Sequence, residues 1–300
     1  MDLFCTCLGL ELEHPVMNAA GTCKHLDGDL GVQQFSRSAT AMIMVGSATI
    51  ESRLGNSGDV YYHDTYFSLN SIGLANPGIE YYRRNLPEMN QISHGVGKPL
   101  GFSIAGFTPD EYAMMAKVAA EAHVDLIELN LGCPNIWDGG KQKRIASFDP
   151  TMIAAILDAV TRQIGTSCRL SVKLSPIADP YLLQQVGSCL SAYPIVKAIT
   201  VCNTFPNALA LKTNGQPEIT PASGLGGLAG AALKPIALGQ IHQLHTILGE
   251  QVSYIGVGGI TTGADVRDFL HAGASCVQIA TPIMNQGLRS FSIILDGLID

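Results

Sequence analysis

The stretch ELNLGCPN, residues 128–135, places a cysteine and two asparagines directly after a short apolar run. The run itself, residues 124–131, is short and bounded by chain-breaking residues, as a buried parallel strand tends to be. Cys133 is therefore predicted to lie at the carboxyl end of a strand, where α/β barrels place their catalytic side chains. A cysteine there can be a nucleophile, a base that takes a proton, or a buried apolar side chain.

Asparagines accompany this cysteine. Asn130 and Asn135 flank it, while Asn70 and Asn203 fall near predicted strand ends or on a long loop. The asparagine side chain carries a hydrogen-bond donor and an acceptor on one planar group. Such side chains match a planar ligand with alternating C=O and N–H groups, such as a pyrimidine or a lactam. We therefore predict that the four asparagines converge on one small polar ring.

Two neighbouring segments near the C-terminus are candidates for phosphate binding. GVGGITTGADV, residues 256–266, follows one predicted strand and opens a helix, and QIATP, residues 278–282, ends the next strand. The last two βα loops of a barrel commonly hold a phosphate with backbone N–H groups, although tight turns alone also require glycine.

Lys173 lies inside the otherwise apolar run LSVKLSP. A buried lysine without a partner would lose its charge. The side chain therefore either extends out of the barrel mouth or meets an anion.

The elements that must position these residues alternate between β-like and helical patterns. Helices are predicted at 109–122 and 151–163, after the third and fourth strands. Alternation of this kind implies a parallel sheet, and eight strands suggest a closed (β/α)8 TIM barrel formed by residues 1–300 as one domain. Segments 55–99 and 203–230 are too long for simple connections and are predicted to be lids or binding walls. The predicted strands are 15–19, 41–45, 100–105, 126–131, 170–174, 198–202, 253–257 and 276–280.

Composition excludes several classes of protein. With 47% hydrophobic and 14% charged residues, the chain has a large core to bury and is not disordered. A net charge of -7 and the lack of dense Lys/Arg runs disfavour a nucleic-acid partner. No signal peptide or membrane-spanning run is found, and eight scattered cysteines suit free thiols in the cytoplasm. No histidine or cysteine spacing indicates a metal site.

Taken in order, eight segments resemble the dihydroorotate dehydrogenases, in particular the soluble class 1A branch. The loop cysteine distinguishes class 1 from the membrane-associated class, which has serine there. The resemblance implies an FMN enzyme that oxidises (S)-dihydroorotate to orotate in pyrimidine biosynthesis, passes the electrons to fumarate, and tends to form homodimers. The segments are NAAG at 18–21, NSIGLANPG at 70–78, FSIAG at 102–106, ELNLGCPN, SVKLSP at 171–176, GLGGLAG at 224–230, GVGGITTG at 256–263 and QIAT at 278–281.

The resemblance also implies roles for particular residues. Cys133 is the implied catalytic base, which removes a proton from C5 of dihydroorotate as the hydride at C6 leaves for the flavin. The implied substrate-binding residues are Lys24, Asn70, Ile72, Gly73, Leu74, Asn130, Asn135, Asn203 and Thr204. The implied FMN-binding residues are Ala20, Gly21, Gly46, Ser47, Asn130, Lys173, Cys202, Gly230, Gly258, Gly259, Ala280 and Thr281.

The chain departs from the class 1A pattern at two points. The class has a lysine at the end of the second strand, where this chain has Gly46, but Lys24 matches the lysine that the membrane-associated class places after the first strand. We infer that Lys24 supplies the displaced cation. The family's G-N-P-x-P-R is here GNSGDV, residues 55–60. Two alternatives therefore stay open: an FMN oxidoreductase for another dihydropyrimidine or enoate, and a non-catalytic flavin-binding homologue.

Overall fold

The computed structural model describes residues 3–24, 31–138, 141–166 and 168–299. Its strands, in chain order, are β1 (Cys5–Cys7), β2 (Leu10–Leu12), β3 (Val16–Asn18), β4 (Ile43–Ala48), β5 (Tyr61–His63), β6 (Ser68–Asn70), β7 (Leu100–Ile104), β8 (Leu126–Asn130), β9 (Trp137–Asp138), β10 (Lys141–Gln142), β11 (Leu170–Leu174), β12 (Val196–Val201), β13 (Phe205–Leu209), β14 (Leu225–Ala229), β15 (Ser253–Val257) and β16 (Cys276–Ile279). Its α-helices are α1 (Val32–Ser36), α2 (Ile79–His94), α3 (Pro109–Glu121), α4 (Pro150–Ile164), α5 (Pro180–Ser191), α6 (Lys234–Leu248), α7 (Gly263–His271), α8 (Thr281–Gln286) and α9 (Ser290–Ile299).

Eight of the strands form one parallel sheet in the order β3-β16-β15-β12-β11-β8-β7-β4. They are the eight strands expected from the sequence, and the predicted TIM barrel is confirmed. The strand bounds differ by a few residues; β4, for example, begins two residues later than predicted and runs to Ala48. β7, β8 and β11 are buried along their whole length, as expected for a sheet covered by helices.

Asn18 closes the seam between the first and last strands of this order. Its side-chain Nδ2 donates to the backbone oxygen of Met44 over 2.8 Å, and its Oδ1 accepts from the backbone nitrogen of Met44 over 2.8 Å. One backbone hydrogen bond, from Ala41 to Val16, adds to this closure. The Asn18 side chain therefore makes the hydrogen bonds to Met44 that the backbone of a neighbouring strand would otherwise make.

The predicted helices begin where their capping residues lie. Thr108 accepts a hydrogen bond from the backbone nitrogen of Glu111 and precedes Pro109, and Asp149 caps the helix that starts at Pro150 in the same way. Side-chain caps satisfy backbone donors that a helix leaves free at its start, and proline is tolerated at the first position. Both helix predictions are confirmed to within one residue at either end.

The two long segments are not loops throughout, which corrects one expectation. In segment 55–99, residues 79–94 form helix α2, although Pro87 lies inside it. Its buried residues recur every three or four positions, so packing on the barrel outweighs the proline. They are Ile79, Tyr82, Leu86, Met89 and Ser93. The remaining parts of both segments pair as a four-stranded antiparallel sheet in the order β13-β14-β6-β5.

The amino-terminal hairpin of β1 and β2 packs against the interior residues at the other end of the barrel. Cys7 and Leu12 of the hairpin share a buried cluster with Met17 and Cys276. Cys5 and Cys7 are thus packed thiols, and among the described residues no group of histidine, cysteine and carboxylate side chains could hold a metal ion. Within the same residues, no helix is long and apolar enough to cross a membrane.

Candidate active site

One cavity of about 1220 Å³, counted out to its open mouth, lies at the carboxyl ends of the barrel strands. It is bounded on one side by the antiparallel sheet, through Ser68, Asn70 and Ala229. Every residue predicted for the site lines it except Gly46. The lining members of the prediction are Ala20, Gly21, Lys24, Ser47, Asn70, Ile72, Gly73, Leu74, Asn130, Cys133, Asn135, Lys173, Cys202, Asn203, Thr204, Gly230, Gly258, Gly259, Ala280 and Thr281.

Gly46 lies behind Ser47, and its backbone explains why it is glycine. Its φ is +102°, and an added Cβ would lie 2.4 Å from the backbone oxygen of Ser103. A lysine cannot occupy this position without a backbone change. The Gly46 nitrogen donates to the Cys23 oxygen over 2.9 Å, and the Gly21 nitrogen donates back to the Gly46 oxygen over 2.6 Å. The segment that ends in Lys24 therefore runs directly beside the place of the missing lysine.

The four asparagines surround the cavity as two hydrogen-bonded pairs. Asn135 Nδ2 donates to Asn70 Oδ1 over 2.9 Å, and Asn203 Nδ2 donates to Asn130 Oδ1 over 3.0 Å. Asn130 Nδ2 in turn donates to Ser47 Oγ over 2.9 Å. Each amide still has unused donor or acceptor capacity. The expected convergence is therefore present, and each amide is oriented by a neighbour.

Thr204 provides the clearest polar atom without a partner. Its Oγ1 is buried and has no hydrogen-bond partner among the described residues. Its backbone nitrogen donates to Asn203 Oδ1 over 2.8 Å, which fixes the residue beside the asparagine pair. A buried hydroxyl without a partner is costly unless a ligand supplies the missing bond.

Cys133 lies half-buried, three residues beyond Asn130, the last residue of β8. Burial raises the pKa of its thiol to about 11, while the backbone N–H of Asn135 and the positive charge of Arg53 act to lower the pKa. Burial disfavours the charged thiolate, and a donor or a cation favours it. The thiol therefore holds its proton at neutral pH, and the fraction present as thiolate, the form that accepts a proton, increases as the pH rises.

A charged pair lies on the floor of the cavity inside the barrel. Lys173 Nζ lies 3.7 Å from Glu128 Oε1 and donates to Gln278 Oε1 over 3.0 Å. Gln278 Nε2 and Thr200 Oγ1 donate to Glu128 Oε2 over 3.0 and 3.1 Å, and Ser103 Oγ donates to Oε1 over 3.2 Å. Lys173 thus meets an anion, which was one of the two alternatives.

Glu128 and Gln278 were missed as partners of Lys173 in the sequence. Glu128 is fully buried in the middle of an apolar strand, as Lys173 is. The argument applied to a lysine in such a strand applies equally to a glutamate. The sequence could have predicted this pair, because Glu128 and Lys173 carry opposite charges and lie in two separate apolar strands.

The glycine turns form the far end of the cavity. Gly259 has φ +74°, and an added Cβ would lie 2.8 Å from the Gly230 oxygen and 2.7 Å from the Lys234 Cβ. Only glycine allows this close approach, so the turn itself requires glycine at residue 259 whether or not a phosphate binds there. Lys234 Nζ is held by Asp265 and Asp268 over 2.5 and 2.6 Å. A phosphate here would therefore depend on backbone N–H groups more than on this lysine.

The divergent segment GNSGDV is held by an asparagine in place of prolines. Asn56 Nδ2 donates to the Ser71 oxygen over 2.8 Å and to the Asn135 oxygen over 3.2 Å. Just before this segment, Arg53 Nε donates to the Gly73 oxygen over 3.1 Å. The first long segment is thus tied both to the substrate-loop residues and to the loop of Cys133, and Arg53 is a cation near the site that the sequence interpretation missed.

Comparison with known proteins agrees with this geometry. A family model described as dihydroorotate dehydrogenase matches residues 2–300. The chain belongs to the dihydroorotate dehydrogenase family. The resemblance stated from the motifs is therefore confirmed, and members of this family are FMN-dependent oxidoreductases.

Several relatives share most of their length with this chain. It is 30% identical over 294 residues to the probable dihydroorotate dehydrogenase A (fumarate) of Streptococcus pneumoniae, covering 97% of this chain and 90% of the relative. It is 32% identical over 292 residues to dihydroorotate dehydrogenase A (fumarate) of Lactococcus lactis, covering 96% and 90%. A crystal structure of DHODH in complex with ferulenol from Eimeria tenella matches with a TM-score of 0.84 at 20% identity, covering 99% of this chain and 83% of that chain.

The cavity fits the family's cofactor. It runs without interruption from Cys133 to the turns of Gly258, Gly259, Ala280 and Thr281. Lys173 and Gln278 offer polar groups along its floor, and the glycine turns leave room for a ligand at its far end. The residues present thus suit an elongated ligand with a polar ring edge and a phosphate.

Proposed function

We propose that this protein, as one FMN-binding barrel, oxidises (S)-dihydroorotate to orotate and passes the electrons to fumarate. The observation that carries the proposal is the position of Cys133, which faces the same cavity as the two asparagine pairs and Lys173. The names of the relatives with fumarate as acceptor support the choice of substrates.

Cys133 acts as the base in this proposal. Oxidation of dihydroorotate removes a proton from C5 and a hydride from C6, on opposite faces of the ring. When bound, FMN supplies the hydride acceptor. Cys133 Sγ takes the proton in this proposal, because it lines the same cavity as the asparagine pairs and follows the carboxyl end of β8.

The asparagines and Thr204 orient the pyrimidine ring. Asn70, Asn130, Asn135 and Asn203 offer amide groups that are already held by their neighbours, so little reorganisation is needed when the ring binds. Thr204 Oγ1 gains the partner that it lacks. The backbone groups of Ile72, Gly73 and Leu74 line the same wall of the cavity.

Lys24 and Lys173 supply positive charge at two places. Lys173 lines the floor of the cavity, and when FMN is bound its ammonium group would favour negative charge on the flavin. Lys24 lies beside the position of the missing lysine, and we assign it to the carboxylate of the substrate. FMN itself would be held by Ala20, Gly21, Ser47, Cys202 and Gly230 along its ring and ribityl chain, and by Gly258, Gly259, Ala280 and Thr281 at its phosphate.

The decisive experiment is anaerobic bleaching of the purified flavoprotein with dihydroorotate. The bleached protein is then mixed with fumarate, NAD or a quinone in separate reactions. Bleaching followed by rapid reoxidation with fumarate supports the proposal. A yellow protein that dihydroorotate does not bleach, but that another dihydropyrimidine or an enoate oxidises or reduces, assigns the barrel to a different substrate. Protein that contains no flavin and cannot be reconstituted with FMN contradicts the proposal outright.

We further propose a cytoplasmic homodimer. All eight cysteines are free thiols, which suits a reducing compartment. The antiparallel sheet and the segments next to its strands carry exposed apolar side chains at Tyr66, Leu209 and Leu211, with exposed fractions of 74%, 52% and 57%. Exposed apolar groups of this size favour contact with another protein surface. Light scattering of the native protein and of Leu211→Lys tests this: a monomeric parent contradicts the dimer.

A further inference from the structure

Phe107, just after the end of β7, has two cationic side chains at its ring. The guanidinium carbon of Arg53 lies 5.3 Å from the ring centroid, and Lys143 Nζ lies 3.6 Å from it. A cation within about 6 Å of an aromatic face is attracted by the charge distribution of the ring. Arg53 follows β4 and Lys143 follows β8, so one ring joins three connections at the barrel mouth.

The backbone of Phe107 is hydrogen-bonded to a helix of the barrel. The backbone nitrogen of Phe107 donates to Glu111 Oε2 over 2.6 Å, and Glu111 belongs to the first turn of α3. Phe107 also lines a second, smaller cavity, which Cys133, Tyr112 and Lys143 share. Phe107 is thus tied to α3 through its backbone, and the two cations come from two other connections.

Lys143 belongs to the same connection as Cys133. Residues 131–138 and 141–145, which we call the catalytic hairpin, are joined by the antiparallel pairing of β9 with β10. The Lys143 nitrogen donates to the Ile136 oxygen over 2.8 Å, and Gln142 Nε2 donates to the Pro134 oxygen over 2.7 Å. A contact that holds Lys143 therefore also restrains the residues next to Cys133.

Arg53 acts on Cys133 through its positive charge. Its side chain is placed by the hydrogen bond to the Gly73 oxygen and by the ring of Phe107. The positive charge lowers the pKa of the Cys133 thiol against the effect of burial. If the guanidinium moved away from Cys133, the thiolate would lose this stabilisation.

We propose that Phe107 is a positioning residue for Cys133: its ring holds the catalytic hairpin through Lys143 and holds Arg53 where its charge faces the thiol. The inference rests on the proposed function for the role of Cys133. It adds positioning roles for three side chains that do not line the main cavity: Phe107, Arg53 and Lys143.

The first test measures how exposed the catalytic hairpin is to solvent, and it needs no catalytic turnover. Trp137, the sole tryptophan of the chain, lies in the hairpin and reports on its exposure. In the flavin-loaded protein, Phe107→Leu should raise the acrylamide quenching constant of Trp137 by about twofold, because single cation–π contacts are weak but two are lost. Phe107→Tyr keeps the ring and should match the parent. Tyr181→Leu, which removes an exposed aromatic side chain from α5, is the matched control.

The second test measures flavin reduction by dihydroorotate as a function of pH. Phe107→Leu should slow reduction at pH 7 by about five- to tenfold and shift the profile to higher pH, because both the hairpin and Arg53 are released. Lys143→Gln changes only an exposed side chain, so folding is preserved. It should slow reduction with less change in the shape of the profile.

Other charged groups around Cys133 are present in every variant. Tyr112 lies beside it, Arg144 and Asp149 pair with each other at the second cavity, and Lys24 and Lys173 line the main cavity. A shift seen in Phe107→Leu and absent from Phe107→Tyr therefore belongs to the ring and the two cations on it.

Either of two results overturns the inference. One is Trp137 quenching and a pH profile in Phe107→Leu that match the parent. The other is a loss of rate in Phe107→Leu that is equal at every pH and is also seen in Phe107→Tyr. Such a result indicates general damage to the fold. If the parent flavoprotein is not reduced by dihydroorotate at all, the proposed function fails, but the quenching experiment still decides whether Phe107 holds the hairpin.

Discussion

The floor of the cavity and its loop wall are built from different kinds of polar group. The floor carries charges on strands: Glu128 on β8 and Lys173 on β11, both buried and joined through Gln278 on β16. The wall carries neutral amides, such as Asn135 and Asn203, at or beyond strand ends. A buried charge needs partners at fixed positions, and sheet hydrogen bonds fix a strand far better than a loop is fixed.

This difference suggests a division of work. In the proposed function, the floor would set the electrostatic environment of the flavin, and its buried charges cannot move without a large cost in stability. The wall would recognise the substrate with groups that can exchange partners, because each amide both donates and accepts. Substitutions in the two regions should therefore differ in kind: floor variants change stability, and wall variants change binding and rate.

The largest effect is expected from breaking the floor pair. Lys173→Met leaves Glu128 buried without its cation and should lower the free energy of unfolding by about 3–5 kcal/mol. Urea unfolding followed by circular dichroism measures it. The double variant Lys173→Met/Glu128→Gln removes both charges and should recover part of the loss. If the double variant is less stable than Lys173→Met alone, the pair is not the stabilising unit.

The next effect is expected at Cys133. Cys133→Ala should slow flavin reduction at neutral pH by roughly 10² or more, the usual contribution of a positioned general base. In the parent the rate should rise with pH, because the thiol has a pKa of about 11 and only the thiolate accepts a proton. Cys133→Ser should keep some activity and require still higher pH. Stopped-flow reduction measures both, and an alanine variant as fast as the parent removes the base assignment.

A smaller effect is expected at Lys24. Lys24→Ala should weaken orotate binding by about tenfold and slow reduction with little loss of stability, because its proposed role is to pair with the substrate carboxylate in the cavity. Lys197→Ala, which removes an exposed lysine from β12, is the control. Adding Gly46→Lys should not rescue the variant, because a Cβ at residue 46 would clash with the Ser103 oxygen. Unchanged orotate titration in Lys24→Ala would leave the carboxylate without its proposed partner.

The smallest effect is expected in the wall itself. Asn135→Ala removes the donor to Asn70 and should weaken orotate binding by about fivefold, in line with roughly 1 kcal/mol for one neutral hydrogen bond. Its thermal unfolding should stay close to that of the parent, in contrast to Lys173→Met. A wall variant that unfolds as readily as the floor variant would remove the distinction between the two regions.

The sequence by itself determined the barrel, the loop that carries Cys133, and a set of site residues that all line the cavity except Gly46. Strand alternation, capped helix starts and the family motifs are local patterns, and a parallel strand's carboxyl end can be located without coordinates. It also indicated that Lys173 needed an explanation, because a charge in an apolar run is visible in the sequence.

Tertiary structure alone decided which side chains meet. Glu128 and Lys173 lie 45 positions apart and Gln278 lies 105 beyond Lys173, so their pairing depends on strand order and on which residues face the barrel interior. Helix α2 was not predicted because Pro87 lies inside it, and it forms because its apolar face packs on the barrel. Residue 46 must be glycine because a Cβ there would clash with a backbone oxygen of a neighbouring strand. The contacts of Arg53 and Lys143 with Phe107 join three loops whose paths no local pattern specifies, because a loop's course depends on the surfaces against which it packs.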